Sequence, residues 1–215
     1  MWPVAWLTRN AKPLTVALLC FVAMLSCMRD RDSGGKVRTE LPLHLLRDGD
    51  LLLRCGVGAS SQAVIEIDKN KGMYTHIGIA ISENGTWKVV HAVPGESANG
   101  IDLVKVEPVD TFFLTTRATR GAAMRLQHCD SATAHRAAMW ARDCARRGVP
   151  FDDRYNWHDR SRLYCTELVQ AAYESVGIDL ASDKCSTIDL PLFKGEVVFP
   201  SDMARCDSLK EIFRF

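Results

Sequence analysis

Cys165 stands where a thiol can gain reactivity. It opens the run Tyr164-Cys165-Thr166-Glu167-Leu168-Val169, after a turn-rich stretch and at the start of a helical pattern. There the positive end of a helix favours thiolate over thiol. His76 lies in Tyr74-Thr75-His76-Ile77-Gly78-Ile79-Ala80, where strand alternation places its ring with Gly78 and Ala80, opposite Ile77 and Ile79. His91 takes a similar place in Val89-Val90-His91-Ala92-Val93. Paired strands bring two such rings together as base and orienting group. Taken singly, a cysteine is most simply buried packing and a histidine a hydrogen-bonded structural residue. Together, Cys165, His76 and His91 supply nucleophile, base and orienter for acyl transfer.

The elements that must position them follow from local pattern. Leu51-Leu52-Leu53 has the length of a buried strand after the Asp48-Gly49-Asp50 turn, and Gln62 to Ile67 reads as a short helix with Ser60 as its cap. Thr75 to Ser82 and Trp87 to Val93 flank Asn84-Gly85, the strongest local signal for an antiparallel hairpin. Further strands are predicted over Ile101 to Val106 and Arg117 to Leu126. Ala134, Ala137, Ala138, Ala141, Cys144 and Ala145 recur at helical spacing from Ser131 to Arg147, with Asp130 or Ser131 as cap and Gly148 as stop. Pro150 to Leu163 is a loop. A second helix runs from Cys165 to about Val176 and ends at Gly177.

Other candidates have plainer roles. Asp152 and Asp153 form a carboxylate pair for a cation or an amine, but a turn-rich loop favours solvation. Ser60 and Ser61 reach a cleft in one reading and cap a helix in the other, and Trp140 is core packing. His128, His135 and His158 lack ligand spacing, and neither H-E-x-x-H nor C-x-x-C occurs. The sequence therefore predicts no metal and no cofactor.

Composition narrows the class. The 215 residues are 47% apolar and 25% charged, which is a globular composition, and a formal charge of +1 argues against a nucleic-acid partner. Arg9 and Lys12 precede an uncharged stretch from Pro13 to Ser26, shorter than the roughly 20 residues of a membrane span. A positive flank, a short apolar core and a small residue make a secretory signal. Met24-Leu25-Ser26-Cys27 resembles a bacterial lipobox, although Met replaces the usual Leu at its first position. Three segments are expected: a signal over 1–26, lipidated Cys27 with a flexible tether over 27–40, and one domain over 41–215. Export would place the chain at the cell envelope, on the periplasmic or outer face of a membrane, anchored by its lipid. Cysteines there can pair, but the eight present fix no connectivity.

Several segments, in order, carry a resemblance: Gly49-Asp50-Leu51-Leu52, Tyr74-Thr75-His76-Ile77-Gly78-Ile79, Val90-His91-Ala92, Phe151-Asp152, Tyr164-Cys165-Thr166-Glu167-Leu168 and Phe199-Pro200-Ser201-Asp202. The sequence resembles the YiiX-like permuted papain-fold cysteine hydrolases, relatives of the NlpC-like cell-wall peptidases, over about residues 41 to 215. The resemblance implies an α+β fold, an antiparallel sheet or small barrel packed against helices. It also implies Cys165 as nucleophile, His76 as general base, and a third polar residue that orients His76. Many relatives place an acidic residue third, where this sequence offers His91. Tyr164, Glu167 and Asp152 are carried over as substrate-binding candidates, Glu167 fitting equally a first-turn helix position.

The function expected is a lipid-anchored cysteine amidase or peptidase acting on short peptide amides, such as those of peptidoglycan stems. The alternatives are a lipid acyl hydrolase or acyltransferase of the lecithin retinol acyltransferase-like type, and a noncatalytic ligand-binding module on the same fold. An apolar groove beside Cys165 would favour lipid, and a short polar cleft would favour peptide.

Overall fold

The computed structural model describes residues 36–38, 41–68, 72–97, 99–190 and 193–215. The predicted signal and Cys27 lie outside the described residues. No helix among the described residues is long and apolar enough to cross a membrane. Part of the predicted tether is already in contact with the domain, because Lys36 and Thr115 exchange two hydrogen bonds and Arg38 lies over the Phe215 ring.

Six antiparallel strands form the main sheet: β1 (Leu51–Gly56), β2 (His76–Glu83), β3 (Thr86–Ala92), β4 (Val104–Pro108), β5 (Ala118–Leu126) and β8 (Leu209–Arg214). Their order is β4-β3-β2-β1-β5-β8. β1 lies between β2 and β5 and is buried along its whole length, which explains why Leu51-Leu52-Leu53 is a continuous apolar run rather than an alternating one. The predicted hairpin is present. Asn84 and Gly85 have φ of 51° and 75°, the left-handed values a tight two-residue turn requires, and Glu83 pairs with Thr86.

One face of the sheet carries the larger core. Leu51, Leu53, Ile77, Ile79 and Val90 meet α3 (Ser131–Arg146) and α4 (Cys165–Glu174), helices that present Ala137, Ala138, Ala141, Leu168 and Ala172. Asp130 caps α3 by accepting from the Thr133 N–H, as its position predicts. Leu52, Ala80 and Val89 point the other way, toward Phe112 and Phe113 at the end of α2 (Val109–Phe112).

Some elements depart from expectation. The first helix, α1 (Ala59–Ile67), begins earlier than predicted, with Gly58 rather than Ser60 at its cap position and no side-chain cap bond. β4 continues two residues past the expected end at Val106. A separate hairpin, β6 (Ser186–Leu190) with β7 (Phe193–Val197), and the short α5 (Pro200–Ala204) complete the chain. The six cysteines among the described residues are free thiols, so Cys185 and Cys206 are not joined.

Candidate active site

α4 begins where β2 begins, and the two starts meet at a cavity of about 310 Å³ lined by Cys165, His76, Tyr164, Arg54, Glu96 and Arg117, among others. Irregular backbone ends at Tyr164, whose N–H donates to the Glu167 carboxylate at 3.2 Å, and the helix then starts at the thiol. Cys165 keeps some exposure through the cavity, yet burial pushes the thiol up to about 12. Backbone hydrogen bonds from Ile77, Thr166 and Cys165 itself pull the other way and are outweighed. The helix end, expected to favour thiolate, therefore does not prevail at rest.

His76 Nε2 is 2.7 Å from His91 Nδ1, which leaves Nδ1 as the His76 ring nitrogen not engaged by His91. Burial first, and then the Arg54 charge, hold His76 well below its ordinary value, so at pH 7 its ring is neutral. Both rings pack against Phe112, with centroids 5.6 and 5.3 Å away, and the Arg54 guanidinium stacks on the same ring at 4.6 Å. His91 is fully buried, which lowers its pKa, while the adjacent Glu107 raises it. Gly78 makes this pairing possible. A Cβ there would sit 2.9 Å from His91 Cβ and 2.8 Å from the Val90 carbonyl oxygen.

Sequence reasoning left the third position between His91 and an acidic group, and the structure contains both in series. Glu107 Oε1 lies 3.0 Å from His91 Nε2, without the alignment of a hydrogen bond. Arg117 and Lys105 flank Glu107, at 3.1 and 3.5 Å. Glu96 ties Arg54, Lys105 and Arg117 together beside the cavity. Neither glutamate was found from sequence, because Glu107 lies in a charged alternating strand that reads as a solvent face and Glu96 follows the turn at Pro94-Gly95.

The substrate-binding candidates divide. Tyr164 lines the cavity, and its hydroxyl accepts from the Val198 N–H at 3.3 Å. Asp152 is not among the lining residues. It is neither solvated nor at the cavity, being 2% exposed and accepting from the Arg154 and Asn156 N–H groups at 3.0 and 2.6 Å. Its chemistry is spent on holding the loop before Tyr164. Glu167 is also absent from the lining, fully buried behind the helix start. Ser60 and Ser61, read as local capping, face the cavity instead, as does Tyr155, which sequence reasoning passed over.

No curated protein matches this sequence. Among solved structures, the crystal structure of metalloprotein YiiX from Escherichia coli O157:H7 superposes with a TM-score of 0.63 at 18% identity, covering 79% of this chain and 97% of that one. At that identity the likeness concerns the fold. No group of three or more His, Cys, Asp or Glu among the described residues is arranged to hold a metal ion. The two site histidines are hydrogen-bonded to each other rather than left to converge on one. Residues 45–213 match the model of the permuted papain-like amidase enzymes, YaeF/YiiX, C92 family. The match spans both histidine strands and the cysteine helix in that order, and the chain belongs to this family of papain-like cysteine amidases.

Proposed function

We propose that Cys165 is the nucleophile and His76 the general base of this amidase, and that its substrates are short peptide amides of the cell-wall stem-peptide class. The observation that carries the reading is the convergence of Cys165 and the hydrogen-bonded His76 on one cavity. The cavity is at the small end of the range for ligand pockets, about 300–1,000 Å³. Arg54, Glu96 and Arg117 in its wall offer charges to a polar peptide, beside an apolar part made by Val57, Val64, Val93 and Phe151.

Because the resting thiol is protonated and His76 neutral, attack and proton transfer occur together. His76 Nδ1 takes the thiol proton as sulfur bonds to the amide carbon. The Cys165 N–H at the helix start is one donor for the oxyanion. Collapse breaks the C–N bond, and the imidazolium gives its proton to the departing amine. Water, deprotonated by His76, then attacks the thioester and releases the acid and the thiol.

Export and an acyl anchor on Cys27 belong to the same proposal, supported by the sequence from Arg9 to Cys27. The test is hydrolysis of a panel of stem peptides and lipid esters by the protein, Cys165→Ala and His76→Ala. Peptide cleavage lost in both variants is expected. Cleavage of lipid esters alone, or turnover surviving Cys165→Ala, would overturn the assignment. Metabolic labelling with palmitate tests the anchor, and the label should disappear in Cys27→Ser.

A further inference from the structure

Hydrogen-bond logic across the four strands β1 to β4 constrains which nitrogen carries each histidine proton. Only one hydrogen occupies the 2.7 Å gap between His76 Nε2 and His91 Nδ1. If His76 donates, its Nδ1 is an unprotonated lone pair able to accept the thiol proton, and the His91 proton sits on Nε2. If His91 donates instead, the His76 proton moves to Nδ1 and the ring cannot accept from Cys165. Its partner's Nε2 lone pair would then face a carboxylate oxygen 3.0 Å away, a repulsive contact.

The deciding group is Glu107. His91 is 0% exposed, and its Nε2 and Glu107 Oε1, 3.0 Å apart but not aligned as a hydrogen bond, have no other hydrogen-bond partner among the described residues. A proton on Nε2 has that carboxylate as its acceptor and no competitor. The charges around the pair are Arg54 from β1, His76 from β2, Lys105 from β4, and Glu96 and Arg117 from the adjoining loops. Burial works to raise the Glu107 pKa, but His91 and Lys105 outweigh it and lower the value to about 2, and Arg117 lies 3.1 Å away.

We infer that Glu107 is a positioning residue that fixes the tautomers of both His91 and His76, and so makes His76 Nδ1 the acceptor for the thiol proton. The inference rests on the assignment of Cys165 and His76 as nucleophile and base. When the proton moves from Cys165 to His76, no other proton changes place. The new imidazolium is held by His91 Nδ1, and His91 in turn by the Glu107 carboxylate, the arrangement by which a buried acid orients and stabilises a histidine.

The experiment is nitrogen NMR of the full chain labelled with ¹⁵N-histidine, comparing wild type with Glu107→Gln and Glu107→Ala at pH 8. His76→Ala and His91→Ala supply the assignments. In the wild type both rings should show a protonated Nε2 and a bare Nδ1. In the variants the His76 signals should shift toward a protonated Nδ1, and Cys165 alkylation by iodoacetamide should slow at least about tenfold. A wild-type His76 already protonated at Nδ1 would overturn the inference without any variant. So would variants that retain the wild-type tautomers, whatever their stability. Failure of the nucleophile assignment is distinguishable, because it appears as turnover in Cys165→Ala while the tautomer result is read independently.

Discussion

At the scale of single residues, burial sets the protonation state: at Cys165 it outweighs opposing backbone hydrogen bonds, and at His76 it acts together with the Arg54 charge. The pH dependence of turnover follows with a definite sign. A base held well below 6.5 stays unprotonated, and therefore competent, at pH values where an ordinary histidine would be charged. The acidic limb of kcat/KM should fall only below pH 6.5, and a midpoint at or above that value would contradict the assignment of His76. Glu167 shows the same competition without touching the cavity. Burial first, then Asp152 and Asp159, raise its carboxyl to about 8, against the opposing Tyr164 N–H and Arg160. An unfolded chain titrates this group near 4.5, so between 4.5 and 8 the folded protein binds more protons and loses stability as pH rises. Glu167→Gln keeps an acceptor for the Tyr164 N–H and removes that loss. Melting curves should show the variant above wild type at pH 9 and level with it at pH 5.

Among elements, the β2–β3 hairpin matters most, because it carries both histidines. Its turn was legible from Asn84-Gly85, and the orientation of His76 from the alternation around it, since both are local properties of the chain. Gly78 sits where β3 approaches closely. An added Cβ would meet Val89 Cγ2 at 2.5 Å and the Val90 carbonyl oxygen at 2.8 Å, and that backbone cannot rotate away. Gly78→Ala should therefore cost about 1–3 kcal/mol in urea unfolding and lower turnover, through displacement of His91. Glu107 was hidden for the opposite reason. Its strand runs two residues past the expected end, and a sheet face covered by α2 gives the same alternation as one facing water. Ser60 was misjudged because a serine before a helix matches a cap, whereas the backbone there begins the helix one residue earlier, at Ala59.

For the whole molecule, several motif residues far from the chemistry act as fasteners. Asp50 is buried and accepts two hydrogen bonds from Arg125, at 2.8 and 2.7 Å, while Tyr173 from α4 donates to the Gly49 carbonyl at 2.5 Å. Ser201, at the start of α5, accepts from the Tyr74 N–H and donates to the Tyr74 carbonyl, both at 3.0 Å. This double bond ties the late chain to the residue two before His76. Ser201→Ala leaves two buried backbone groups without that partner, and urea unfolding should show a loss of about 1–3 kcal/mol.

The hairpin also separates the two halves of the site in time. His76 and His91 are 15 residues apart and meet through a tight turn, a contact whose loop is cheap to close. Cys165 reaches them only after the chain from β4 through α3 has been synthesised and α4 has docked. The histidine pair is therefore assembled early from local contacts and Cys165 joins it late. Until α4 docks, the thiol of a nascent chain is apart from both histidines, so on the proposed assignment the polypeptide carries no competent amidase before it is folded.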